Sequence, residues 1–268
     1  MEQNLILAGV GGQGILTIAR AISMAALCRD LQVRQAEVHG MSQRGGAVQS
    51  HLRIADHELF SDLIPLGHAD LVVAVEPLEA LRYVQYLKDG GVIIAATNAF
   101  VNIENYPPIE QVLDRVAGFP RHVLLDADGL AKAAGSVRSA NIVTLGAASL
   151  FLELEPAVLE EVVAEMFAAK GPAVVAVNQK AFRLGRNAAA AYQDGLERGG
   201  TSRAVRAWID KLPADALAGE APPAPPSFDD VDDLASRLTG AEAQAFEQCL
   251  VRAHNEGKRP LYEHEVYM

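Results

Sequence analysis

The residues best suited to chemistry cluster near the start of the chain. An apolar stretch, Leu5–Ala8, runs into Gly9-Val10-Gly11-Gly12-Gln13-Gly14. Gly9, Gly11 and Gly14 match the G-x-G-x-x-G spacing, where glycine permits a tight turn, close backbone approach and close strand–helix packing. A helix beginning just beyond would aim its unpaired N–H groups and its positive dipole end at an anion. Three readings stand side by side: nucleotide binding, contact with an anion or cofactor phosphate, or a turn with a purely structural task. A second segment follows, Glu37-Val38-His39-Gly40-Met41-Ser42-Gln43-Arg44-Gly45-Gly46. Arg44 offers a planar, permanently charged fork for carboxylate or phosphate. Ser42 and Gln43 add neutral donors, and Gly40, Gly45 and Gly46 permit backbone shapes that other residues resist. Arg44 could equally pair with Glu37 across the loop. His39 could serve as an acid, a base or a polar contact, and a lone histidine is more often simply hydrogen-bonded. Glu37 stands about where a dinucleotide site places its ribose-binding carboxylate. The polar loop that follows at once would crowd such a ribose.

Other chemistry is thinly represented. The seven histidines include no H-E-x-x-H pair and no clustered ligands, so a metal site is not expected. There is no G-x-S-x-G nucleophile motif. Asp126 and Asp128 flank one alanine and suit a helix cap better than a catalytic pair. The two cysteines, Cys28 and Cys249, cannot supply the four thiolates of an iron–sulfur cluster. Cys28 ends an apolar helical run and is expected to be a buried, inert thiol. Machinery for a complete reaction is lacking, which suggests a subunit.

The elements that would position these residues alternate. Strands are expected at Asn4–Ala8, Val33–Val38, Ala47–Ile54, Leu71–Val75, Val92–Ala96 and His122–Leu125. The run Leu71–Val75 is continuously apolar, as in a strand buried on both faces. A first helix spans about Gly12 to Cys28, with Ile15, Ile18, Ala19, Ile22 and Ala26 on one face. Pro77 opens another, reaching about Leu87, with Gly90-Gly91 as a break before the next strand. Helices follow over Asn141–Leu152, Pro156–Ala168 and about Pro172–Gly195. The fold class is therefore α/β, a Rossmann-like, mostly parallel sheet covered by helices, with a helical C-terminal extension. The domain reading is 1–198 for the α/β unit, 199–212 for a short helix and 213–228 for a proline-rich linker. Residues 229–268 form a helical tail packing on this or another subunit.

The chain has 268 residues, half of them apolar, enough for a full core. Its net charge of −11 and pI near 5.1 argue against nucleic acid as a partner. No stretch approaches the length of a membrane span, and no signal peptide is evident, so a cytoplasmic protein is expected.

Together the two glycine segments, with the strand that runs on to Arg53, resemble the gamma-type domain of 2-oxoacid:ferredoxin oxidoreductases. The His-Gly-Met-Ser-Gln-Arg-Gly-Gly wording is most similar to beta subunits of indolepyruvate ferredoxin oxidoreductases. Asn141–Gly146 and Asn178-Gln179-Lys180-Ala181-Phe182 also resemble the closing helices of that family. The resemblance covers about residues 1–195. It implies a partner alpha subunit carrying thiamine diphosphate, Mg2+ and [4Fe-4S] clusters, with coenzyme A as co-substrate and no cofactor held by this chain alone. It also implies oxidative decarboxylation of an arylpyruvate-type 2-oxoacid to an acyl-CoA. Electrons would pass through the partner's clusters to ferredoxin or another carrier, in a dimer of heterodimers or a larger assembly. Carried across, Gly9, Gly11, Gly12, Gln13, Gly14, Glu37, Met41, Ser42, Gln43, Arg44, Gly45 and Gly46 would face or brace the cofactor side. His39 and Arg44 are the candidates nearest to the chemistry. The alternative is a stand-alone NAD-binding Rossmann dehydrogenase with Glu37 on the ribose.

Overall fold

The computed structural model describes residues 1–39, 45–101, 103 and 105–228. They fold around a six-stranded sheet of order β2-β3-β1-β4-β5-β6. The strands are β1 (Glu2–Val10), β2 (Gln32–His39), β3 (Ala47–Ala55), β4 (Ala69–Ala74), β5 (Leu87–Ala96) and β6 (His122–Leu125). β1, β4, β5 and β6 are parallel neighbours, while β3 runs antiparallel to both β1 and β2. Five strands thus point one way and only β3 is reversed, in keeping with the expected mostly parallel α/β sheet.

The helices of the same unit are α1 (Ile15–Leu27), α2 (Pro77–Arg82), α3 (Ile109–Ala117), α4 (Ala127–Ala134), α5 (Ala140–Ala148) and α6 (Pro156–Phe167). β1 and β4 are buried along almost their whole length, as central strands covered on both faces must be. α1 packs on β1, β2 and β3 and also meets α5 and α6, whereas α2 packs on β1, β4 and β5 and meets α3. α1 buries Ile15, Ile18, Ala19, Ile22 and Ala26, as the periodicity predicts. Cys28 corrects the sequence reading: it follows the last residue of α1 and is exposed rather than buried. α1 turns its inner face to the sheet through Ala25 and Ala26, and the chain then leaves the core.

The helix opened by Pro77 is shorter than expected. α2 ends at Arg82, a 3-10 turn covers Val84–Tyr86, and β5 begins at Leu87. Gly90-Gly91 therefore lies inside a strand. Gly90 takes φ +73°, and the register against β4 jumps from Ala69↔Leu87 to Leu71↔Val92, so the glycines form an irregularity and not a break.

α7 (Pro172–Glu197) closes the unit through its residues up to Ala190. It crosses α5 at backbone contact. A Cβ on Gly146 would overlap the Phe182 carbonyl, and one on Gly185 would overlap the Val143 carbonyl. Within the proline-rich stretch, Ala214–Leu217 form the short helix α9 and Leu217 is buried. The Asn187 amide donates to the carbonyls of Leu217 and Gly219, at 2.7 and 2.8 Å.

A second, small unit comprises Ala191–Lys211 and the chain from Ala224. In it α8 (Ser202–Ile209) is capped by Thr201, whose side chain accepts from the Ala204 amide. Val205 packs onto Gly195 and Gly200, the Tyr192 hydroxyl meets Ser202 Oγ at 2.6 Å, and Trp208 sits edge-on to Phe228. The tail expected at 229–268, including Cys249, lies outside the described residues. No helix among the described residues is long and apolar enough to cross a membrane.

Candidate functional site

The chain leaves β1 toward β2 and β3 on one side of the sheet, then crosses to β4 on the other. Such a reversal leaves a crevice beyond the carboxyl ends of the parallel strands, the usual ligand position in open α/β sheets. A cleft of about 220 Å³ lies there, lined by Gly12 and Gln13 after β1, Val75 after β4 and Asn98 after β5. Asp128 of α4, Arg138 and Asn141 complete the polar part of its wall, with Phe100 and Val137 supplying apolar surface.

The glycine loop is built to hold its shape. Gly14 caps α1 in the left-handed conformation at φ 83°, and no side chain caps that helix. Asn141 crowds the same position: its Nδ2 donates to the Gly14 carbonyl at 3.1 Å, and a Cβ on Gly14 would run into its carboxamide. Gly9 lies against the side chains of Val75 and Ile15, so its small size serves packing. Gln13 is a brace. Its Oε1 accepts from the Val10 amide at 2.7 Å, and its Nε2 donates to the Val75 carbonyl at 3.4 Å. It ties the ends of β1 and β4 together at the mouth of the cleft.

The two glycine segments meet. The Gly11 amide donates to the Gly46 carbonyl at 2.9 Å, and the Gly45 amide to the Gly11 carbonyl at 3.4 Å. Gly11, Gly12, Gln13 and Gly14 thus share one locality with Gly45 and Gly46. Gly40, Met41, Ser42, Gln43 and Arg44 fall outside the described residues. His39 ends β2.

Glu37 does not join this locality. β3 intervenes between β1 and β2, with Leu7 paired to Ser50 and Ser50 to Glu37. Two strand spacings, about 10 Å, separate Glu37 from β1. Its exposed carboxylate accepts from Gln35 Nε2 at 2.9 Å. A dinucleotide site needs that carboxylate on the strand beside the glycine loop. The interposed antiparallel strand therefore disfavours the NAD-dehydrogenase alternative.

Two polar networks shape the far wall. Asp126 caps α4 as expected, its Oδ1 accepting from the Gly129 amide at 2.9 Å and from Asn98 Nδ2 at 2.8 Å. Asn98 Oδ1 accepts from the Asp128 amide at 3.1 Å, locking the end of β5 to the start of α4. Burial, then the Asp126 charge, raises the Asp128 carboxyl above its ordinary range. Glu76, almost fully buried, caps α2 by accepting from the Glu79 amide at 2.8 Å. It also accepts from the Phe100 amide at 3.4 Å and from the Tyr106 hydroxyl. One buried carboxylate thereby fixes the segment that carries Phe100 to the rim. Next to it, burial raises the Glu79 carboxyl, while Arg82, at 2.9 Å, partly offsets the shift.

Asn98 and Arg138 were not singled out from sequence, Asp128 was read only as part of a helix cap, and Asn141 only as the start of a closing helix. A positional signal was available for Asn98 and Asp128, which follow the carboxyl ends of β5 and β6, whereas Arg138 and Asn141 come after α4 and carried none. Among the described residues no ion pair engages Arg138, and no group of three or more His, Cys, Asp or Glu side chains could hold a metal ion. The cleft's donors are a guanidinium, carboxamides and an uncapped helix start. They suit an anionic organic ligand.

A mostly parallel sheet with a glycine-lined cleft at its switch point defines an α/β ligand-binding domain. Residues 4–188 match the pyruvate ferredoxin/flavodoxin oxidoreductase family, and the chain belongs to it. It is 38% identical, over 70% of its length and 96% of the relative's, to the indolepyruvate oxidoreductase subunit IorB of Pyrococcus horikoshii. It is 37% identical, over 71% and 99%, to that of Methanothermobacter thermautotrophicus. Among solved structures it resembles the keto/oxoacid ferredoxin oxidoreductase gamma subunit of Geobacter sulfurreducens. That match has TM-score 0.52 and 26% identity, covering 70% of this chain and 99% of that one. It also shares its fold with the 2-oxoglutarate:ferredoxin oxidoreductase of Magnetococcus marinus, solved with 2-oxoglutarate, coenzyme A and succinyl-CoA bound. There the TM-score is 0.58 and the identity 23%, over 71% of this chain and 31% of that one.

Proposed function

We propose that this chain is the non-cluster subunit of a thiamine-diphosphate-dependent arylpyruvate (indolepyruvate-type):ferredoxin oxidoreductase. The reaction is oxidative decarboxylation of the 2-oxoacid to an acyl-CoA, with the electrons passed to iron–sulfur clusters in a partner subunit. The observation that carries this reading is the match to IorB subunits over 96% or more of their length. Thiamine diphosphate with Mg2+, held by the partner, would supply the nucleophilic carbon for decarboxylation, and clusters held there would accept the electrons. This chain's two cysteines cannot take over the clusters.

Its own contribution is binding and enclosure. Arg138 at the cleft, and Arg44 next in sequence to Gly45, attract an anionic part of coenzyme A or the carboxylate of the 2-oxoacid. The uncapped start of α1 adds N–H donors at the same end. Asn98 and Asn141 orient polar groups, and Phe100 and Val137 exclude water from the acyl side. Phe100, Val101, Ile103 and Val137 are exposed beside the cleft, apolar surface of the kind a partner subunit covers. The assembly is a cytoplasmic heteromer, a dimer of heterodimers or larger, that delivers electrons to ferredoxin or another carrier.

The test is to purify the tagged chain with its partner without oxygen and to assay arylpyruvate- and coenzyme A-dependent reduction of a viologen dye. Activity co-eluting with a brown partner is expected. In that complex Arg44→Ala and Arg138→Ala should each raise KM for coenzyme A or the oxoacid about tenfold, as loss of a hydrogen bond to a charged group does. A solitary, colourless, inactive chain would overturn the assignment. Unchanged kinetics in an intact complex would remove both arginines from it.

A further inference from the structure

A second cleft, of about 420 Å³, lies away from the carboxyl ends of the strands. It sits between the start of α6, the middle of α7 and the segment Ala218–Glu220. Asn187 anchors that segment through its bonds to the Leu217 and Gly219 carbonyls, so this wall is built and not loose chain. Arg186 projects from α7 into the wall. Among the described residues its side chain makes one hydrogen bond, from Nη1 to Ser149 Oγ at 3.1 Å, and Ser149 in turn donates to the Gly146 carbonyl at 2.6 Å. A guanidinium has five N–H donors, so most of them are left over. No carboxylate of the described residues lies within ion-pair distance of it. Burial alone pushes its pKa below the ordinary arginine value, with no neighbouring charge acting against the shift. A half-buried cation without a counter-charge is costly, and a bound anion removes the cost.

The other charges define which anion. Arg183 is engaged by Glu160 at 2.5 Å, so that pair is internally neutral. Glu220 stands on the opposite lip and has no cationic partner among the described residues. A dianion would meet the Glu160 and Glu220 carboxylates, whereas a monoanion matches the charge that Arg186 lacks. Pro156, Ala157 and Ala218 give the cleft apolar wall.

We propose that this cleft binds a small monocarboxylate with an apolar body, its carboxylate paired bidentately with Arg186. The site is separate from the glycine-lined cleft and does not depend on the proposed reaction. Phenylacetate is the probe, titrated into the full-length chain by calorimetry above about pH 8, where inorganic phosphate is mostly a dianion and serves as the control while arginine stays charged. Saturable binding of phenylacetate and none of phosphate is expected. Arg186→Met keeps the apolar stem and should weaken binding about tenfold or more, the loss expected for a hydrogen bond to a charged group. Ala157→Phe, at an exposed position, leaves the guanidinium and core intact and should block binding by filling the cleft. In an Arg138→Ala background, which removes the guanidinium of the glycine-lined cleft, phenylacetate should still bind saturably. No binding to the wild-type chain, full affinity in Ala157→Phe, loss of binding in Arg138→Ala, or phosphate binding as tightly as phenylacetate would each overturn the proposal.

Discussion

Glu76 carries three contacts on one carboxylate: the cap of α2, the Phe100 amide and the Tyr106 hydroxyl. The phenol responds to that setting. Burial, and then the bond to Glu76, hold the Tyr106 pKa above its ordinary 10.0. In the unfolded chain the phenol deprotonates near 10, while in the folded protein it keeps its proton to higher pH. The stability that follows is therefore complete below pH 10 and is lost as pH rises past it. Melting temperature should fall as pH is raised above 10. Tyr83 and Tyr192, also raised by burial, add to the slope. The difference between wild type and Tyr106→Phe isolates Tyr106, and the variant should show the shallower decline. Parallel slopes would mean that the latch contributes nothing. Asp126 was legible as a cap because the residue just before a helix has a known chemistry. Glu76 was not, because two of its donors lie 24 and 30 residues further along the chain.

Among the elements, the crossing of α5 and α7 leaves the least room. Gly146 and Gly185 bring the two backbones into contact, so even a methyl group must push a main chain aside. Gly185→Ala should cost about 3 kcal/mol or more, at the top of the range for overpacking. Gly12→Ala faces open space and has only its φ of +102° to oppose it, a strain of about 1–2 kcal/mol. Denaturant titrations of the two variants would compare them, and equal losses would show that the crossing can adjust. The strands β1, β4 and β6 were legible because their apolar runs are short and bounded, and β2 and β3 lie where extended segments were expected on either side of the second glycine segment. The start of β5 was not. Gly90-Gly91 looks like a stop in one dimension, and only the register against β4 shows that the strand runs through it. α3 escaped notice because its inner face holds just Val112, Leu113 and Val116 over nine residues, too short a pattern to stand out.

At the scale of the molecule, the sheet order decides between families of ligand. Alternation of strands and helices announced an α/β fold, but the position of β3 between β1 and β2 could not be read from spacing, since hairpin and crossover connections were both open. That placement moves Glu37 out of reach of the glycine loop. Calorimetry of the isolated chain with NAD should show no saturable binding, and a Glu37-dependent affinity would contradict the topology argument. The same insertion makes one ribbon of two motifs that lie some thirty residues apart in sequence. Where the β1–β3 ladder ends at Val10 and Ala47, the bonds between Gly11 and Gly45-Gly46 carry it one step further. The Gly11 amide proton can trade with solvent only when those two strips of backbone part. Its isotope-exchange rate is thus a gauge, already present in the native chain, of how firmly Gly45-Gly46 are held against the glycine loop at any moment.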